Sequence, residues 1–447
     1  MASAYDDVVH NREVETWETA ALRQDVIHLV RDIIKGREQS VADHNIIAVS
    51  QLILGDVISR SEASLLYHQT GMEAMIKERH GLGNLGVNGE LASAVSWANL
   101  ATAILREAKP TPMYVEYCTK RAIKTYPLDA TIPESPLYQP HGTYTSIEQS
   151  PKCKPEARKL LNDIRMLTEE SLDAQSRSRT GGNPPKLKTM YERIIRYPSV
   201  QQIRRTVILK EADWRYEAIR LTAIVQAQAV FDQVPLSEAL KNVQLRRMQS
   251  AMDTPSTASQ SNDSISSPFD AQHVTPVTDY SGSPTFGSYS DSYSMQQPGF
   301  PFGHRHSNSS TYSQRPSFSS QLSSSSDLSS RQQFSAPTNS QSCILQELRD
   351  ALENSDLSEC WSDMAGVLLW IGLVMGAASN QNQDKILRRY FSATTIRACI
   401  ILCFEHPEAI HSTMLKMTQI VEALSRKHGD GQLVRKDSFV SRKRTKA

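Results

Sequence analysis

The stretch DLSECWSDMAGVLLWIGLVMGAAS, residues 356–379, is the most apolar passage of the chain, and what surrounds it decides the fold. Its uninterrupted apolar run, Met364 to Ala378, is 15 residues long. At about 1.5 Å of rise per residue a helix of that length spans roughly 22 Å, short of the ~30 Å hydrocarbon core of a bilayer. Asp363 lies just before the run and Gln381, Asn382, Gln383 and Asp384 just after it, a flank of amides and acids in place of the Lys and Arg of a positive-inside anchor. Gly372 and Gly376 form a GxxxG that lets a neighbouring helix approach closely, in water as well as in lipid. The preferred reading is a buried helix at the centre of a soluble domain. The alternative is a membrane-associated helical scaffold anchored by residues 364–378.

Helical spacing dominates outward from that run. Leu22, Val26, Leu29 and Ile33 recur at steps of four, three and four, which predicts an amphipathic helix ending near Gly36. Ser40 and Asp43 have the spacing of a capping box ahead of Ile46, Ile47, Val49, Leu52, Ile53 and Val57. A third helix is expected over 62–79 and a fourth over 91–105, stopped before Pro110. Further helices are expected at 156–171, 187–197 and 213–231, and helical signal resumes at Cys343 and continues through 384–427. With no strand pattern between them, these segments predict an all-α domain.

The 447 residues are 39% hydrophobic and 7% aromatic, low enough that some stretch adds little to any core. That stretch is 249–341, rich in Ser, Gln, Pro, Thr and Asn. It cannot bury enough apolar surface to offset about 1–2 kcal/mol per residue of lost backbone entropy, so disorder is expected there. It reads as a tether whose scattered aromatics permit weak contacts and whose Ser and Thr offer phosphorylation sites. The expected organisation is then 1–248 as the first part of a helical regulatory domain, 249–341 as a disordered insertion, 342–428 as helices packing back onto the same domain, and 429–447 as a basic flexible tail.

Net charge of +1 gives no global reason to bind nucleic acid. The six cysteines are thinly spread and are expected as free thiols in a reducing compartment. MASAYDDVVHNREVETWE has neither a basic n-region nor an apolar h-region, so no secretory signal is read. In the tail, Arg435, Lys436, Arg442, Lys443, Arg444 and Lys446 form a candidate nuclear import signal, with a solubilising tail as the plainer reading, and Ser438 three residues after Arg435 is a candidate phosphosite.

Other motifs carry less. GLGNLG, Gly81 to Gly86, matches the dinucleotide fingerprint in letters, but it follows a helix where that motif needs a strand. Gly81 is expected instead as the left-handed residue that ends the helix before it. Cys399, Cys403 and His406 give C-x3-C-x2-H, yet the surrounding ACIILCF is apolar and suits buried thiols better than zinc. No GxSxG, HExxH or P-loop pattern occurs, so no catalytic residue, metal or cofactor is assigned and a non-enzymatic role is expected.

Three blocks also carry a family likeness: GLGNLGVNGELASAVSWANLATAIL (Gly81–Leu105), YEAIRLTAIVQAQAVF (Tyr216–Phe231), and LSECWSDMAGVLLWIGLVMGAA followed by RRYFSATTIRACIILCFEH. In that order they resemble the fungal-specific transcription factor domain, and more narrowly the regulatory region of zinc-cluster regulators of the acriflavine-sensitivity control type. The likeness runs from about Leu22 to Leu424 outside the Ser-rich insertion. It implies an all-α regulatory domain; with the basic tail, the expected location is the nucleus, with shuttling to the cytoplasm as an alternative, and the expected partners are the transcription machinery or a DNA-binding regulator, with a homo-oligomer as a further candidate. In relatives an N-terminal binuclear zinc cluster reads DNA. This chain has no cysteine before Cys118 and no C-x2-C-x6-C, so the resemblance extends to regulation through protein contacts and not to direct DNA binding.

Overall fold

The computed structural model describes residues 1–35, 41–121, 126–127, 130–177, 185–203, 208–252 and 343–425. Among the described residues the chain is all-α: sixteen helices and no strand, with one isolated bridge between Ser135 and Tyr138. In order these are α1 (Ala2–Val9), α2 (Trp17–Lys35), α3 (Asp43–Ser59), α4 (Glu62–Glu78), α5 (Glu90–Leu105), α6 (Pro112–Arg121), α7 (Ser146–Gln149) and α8 (Pro155–Arg177). Then come α9 (Pro185–Ile195), α10 (Val200–Ile203), α11 (Glu211–Asp232), α12 (Leu236–Met252), α13 (Ile344–Glu353), α14 (Ala365–Ala378), α15 (Lys385–Cys403) and α16 (Pro407–Ser425). The disorder expected for 249–341 falls almost wholly outside the described residues, as does the tail from 426 onward.

The apolar run is α14, and all fourteen of its residues are buried. A helix apolar on every face has to be enclosed on every face, and here α15, α11, α12, α5 and α16 pack around it. Each of its large side chains, from Val367 to Met375, contributes about 1.5–3 kcal/mol by leaving water. Length does not separate the two sequence readings, because the short 3-10 turns at either end extend the helical stretch to 20 residues, Ser362–Gln381. Within the domain every residue of α14 is covered by other helices. Helices on both sides of residues 253–342 belong to one compact unit.

Small residues set the spacing around α14. A methyl group placed on Gly372 would come within 2.7 Å of Thr395 Oγ1 and 3.0 Å of Thr395 Cα, so α15 crosses directly over this glycine. At Gly366 the same methyl would collide with the Pro133 carbonyl. The chain enters α14 through three consecutive left-handed residues, Cys360, Trp361 and Ser362, at φ of 47°, 66° and 51°. Each costs about 1–2 kcal/mol sterically. Trp361, only 1% exposed, offsets this by burial, and its indole N–H donates to Ser355 Oγ at 2.9 Å.

Polar groups in the core are paired across long sequence distances. Trp370 donates to Gln226 Oε1 at 2.6 Å, and Gln226 donates in turn to Thr168 Oγ1 at 2.8 Å, tying α14 to α11 and α8. Arg60, left-handed at the end of α3, gathers the carboxyl ends of two other helices. Its Nη1 donates to Leu105 O at 3.2 Å and its Nη2 to Gly376 O at 3.0 Å, so a cation meets the negative poles of α5 and α14. Burial pulls the Arg60 pKa down to about 10, which leaves it charged at neutral pH.

Two local expectations are corrected. α3 starts at Asp43, with Ala42 as its N-cap and no side-chain cap bond, and the Asp43 carboxylate accepts from Arg79 at 3.1 Å instead of completing a capping box; Ser40 lies outside the described residues. At the end of α4 the left-handed residue is His80 (φ 59°), not Gly81. His80 N–H bonds to Lys77 O at 3.0 Å and Gly81 N–H to Ile76 O at 2.9 Å, which is a Schellman motif shifted by one residue. Gly81 sits at φ 108°, ψ 169°, a region open only to glycine.

Candidate interaction surface

Most helices here spend their apolar face on the core, but α2 does not. Its start is fixed by polar contacts: Thr16 Oγ1 accepts from Thr19 N–H at 3.4 Å, and Asp7 accepts from Thr16 N–H at 3.1 Å and from Arg12 at 2.8 Å. Arg23 pairs with Glu15 at 2.5 Å, and Arg389 of α15 donates to the Arg12 carbonyl. Burial raises the Asp7 carboxyl, but hydrogen bonds from Arg12, Thr16 and Thr19 outweigh it and hold the pKa below the usual range. The helix is therefore held in one pose against α1 and α3.

In that pose Thr19 and Val30 face inward, at 4% and 7% exposed, while Leu22 and Leu29 are 56% and 63% exposed. The stripe legible in the sequence thus lies along the edge of the buried face and partly outside it. Beside it, Leu22 and Val26 line a recess of about 210 Å³ shared with Ala4, Leu52 and Gly55 and with the polar Glu15, Arg23 and Gln51. Val14 and Trp17 stand exposed at its amino end, at 71% and 79%. A two-residue leucine ridge beside a mostly apolar recess can take an apolar side chain from another protein segment.

The sequence-singled residues fall as follows. Arg435, Lys436, Ser438, Arg442, Lys443, Arg444 and Lys446 lie outside the described residues. GLGNLG forms a short 3-10 turn after α4, with no strand leading into it among the described residues. Cys399 is fully buried and Cys403 half-buried; burial pushes both thiols up, Cys403 to about 11, so neither is a thiolate at neutral pH. All six cysteines are free.

One pairing was not visible in the sequence. His411 Nε2 lies 3.0 Å from Ser93 Oγ between α16 and α5, a contact 318 positions apart. Ser93 and His411 are 9% and 1% exposed, and His411 Nδ1 has no partner. Burial draws the His411 pKa down to about 4. Buried and with its pKa lowered, the imidazole is neutral at pH 7 and bridges α16 to α5 through Ser93. No family model, curated protein or solved structure matches the chain.

Proposed function

We propose that this chain is a non-enzymatic transcription regulator of the fungal transcription factor domain type, acting through protein contacts made on α2. The observation that carries this reading is the exposure of Leu22 and Leu29 on a helix otherwise pinned to the domain. A helix held this firmly, with its leucines outward, has the form of a docking ridge. The likeness of the three sequence blocks to the regulatory region of zinc-cluster regulators supports the same reading. The basic residues from Arg435 to Lys446 serve in this scheme as a nuclear import signal.

The test is the transcript profile of the host carrying wild type, a deletion, or Leu22→Glu/Leu29→Glu. Both leucines are exposed, so the double variant should keep its fold within about ±0.5 kcal/mol. It is expected to reproduce the deletion profile while remaining nuclear. A wild-type profile from a folded double variant would discard the reading. Equal nuclear signal from the full chain and from a version ending at Val434 would discard the import role of the tail.

A further inference from the structure

A second cleft, remote in sequence from α2, has a different chemistry. The segment around Gln139 and Thr143 and the first three turns of α8 enclose about 420 Å³. Arg158, Asn162 and Arg165 recur at steps of four and three, which places them on one face of α8, and Lys159 stands beside them on the cleft wall. Against these three cations the lining holds a single carboxylate, Glu148.

Two of the three cations, Arg158 and Lys159, have no carboxylate partner among the described residues, while Arg165 is paired with Glu169. Arg158 Nη1 donates to the backbone carbonyl of Glu148 at 3.0 Å and not to its carboxylate. No carboxylate pairs with Lys159 among the described residues. Arg165 gives Nη1 to Glu169 at 2.8 Å and Nη2 to Asn162 Oδ1 at 3.1 Å, but its buried Nε–H has no partner. The Asn162 amide donates only to Met166 Sδ, at 3.5 Å, a weak acceptor. Arg158 and Lys159 therefore bring positive charge without a carboxylate partner to the cleft wall, beside the weakly used Asn162 amide.

We propose that this cleft binds a phosphomonoester. Such a group carries about −1.5 to −2 charge at neutral pH and three acceptor oxygens, which matches the Arg158 guanidinium, the Lys159 ammonium and the Asn162 amide better than a carboxylate would. The cations span only about 10 Å along the helix, too short a track for a nucleic acid backbone to follow. Two sources share this chemistry: a phosphorylated Ser or Thr of the chain itself, and a free small phosphate. The inference stands apart from the α2 reading and uses none of its residues.

The test is calorimetric titration of the full, phosphatase-treated chain with O-phospho-L-serine and with orthophosphate. Saturable binding of phosphoserine is expected, weakened at least tenfold in Arg158→Gln/Lys159→Gln. Both side chains reach solvent and Arg158 gives up only its bond to the Glu148 carbonyl, so the variant should keep wild-type helicity, and Lys159→Gln alone, which breaks no contact, should weaken binding at an unchanged melting temperature. Orthophosphate binding with the same dependence on the two cations assigns recognition to the phosphate group alone. Repeating the titration after kinase treatment separates the sources: loss of binding means the chain's own phosphate fills the cleft, and retention means a separate molecule does. No saturable binding of either probe, or equal binding by wild type and variant, overturns the proposal.

Discussion

The indole of Trp370 and the amide of Gln226 meet at 2.6 Å in the centre of the domain, where both residues are completely shielded from water. They lie 144 positions apart, and their bond joins the apolar helix α14 to α11. Replacing Trp370 by Phe leaves Gln226 Oε1 buried without a donor, which costs about 1–3 kcal/mol beyond the lost packing. The double variant Trp370→Phe/Gln226→Met removes both polar partners and is expected to regain part of that loss. Urea unfolding of the two singles and the double gives the coupling; strict additivity would show that the bond contributes nothing.

Two glycines respond oppositely to the same methyl group. Gly372→Ala pushes Cβ to 2.7 Å from Thr395 Oγ1 and 3.0 Å from Thr395 Cα, so α14 and α15 must separate, at about 1–3 kcal/mol. Gly71→Ala in α4 meets nothing within 4 Å and is expected to stabilise by about 0.5–1 kcal/mol through helix propensity. Opposite shifts in melting temperature are the expected result.

Acid should weaken the domain through His411. Its folded pKa, about 4, is below the ordinary value of 6.5, so the unfolded chain binds the proton first. The stabilisation is complete above about pH 6.5 and is lost as the pH falls toward 4, by on the order of 1–2 kcal/mol at pH 5. His411→Asn is therefore expected to flatten the fall in melting temperature between pH 7 and pH 5, and identical slopes would contradict it.

His80 carries the left-handed cap of α4 with an exposed side chain. Glycine adopts that conformation without a Cβ penalty, so His80→Gly should stabilise by roughly 0.5–1 kcal/mol in thermal unfolding. Gly81→Ala should destabilise instead, because φ 108° is closed to alanine.

The all-α class was legible because α14 is apolar on every face and the earlier helices keep a period near 3.6. α11 was only half legible. Arg220, Gln226 and Gln228 are buried in it, and their partners are Glu217, Thr168, Trp370, Tyr191 and Arg246, mostly far away in sequence. Periodicity cannot anticipate such pairings. α1, α6 and α12 carried no strong pattern and were missed. The α2 stripe was visible, but its exposure was not, since spacing defines a face without saying what covers it. The basic cleft was hidden for a related reason: Arg158, Lys159 and Arg165 read as a solvated helix until the 139–148 segment folds over them.

The late position of α14 also bears on synthesis. Its surrounding helices α5, α11 and α12 are complete by Met252, whereas α14 and α15 end only at Ala378 and Cys403. At about 5–20 residues per second a ribosome needs roughly 8–30 s to make the chain from there to Cys403. During that interval the apolar faces that α5, α11 and α12 turn toward α14 lack the helix that covers them in the finished domain, and a chaperone able to shield them is expected to bind the nascent chain.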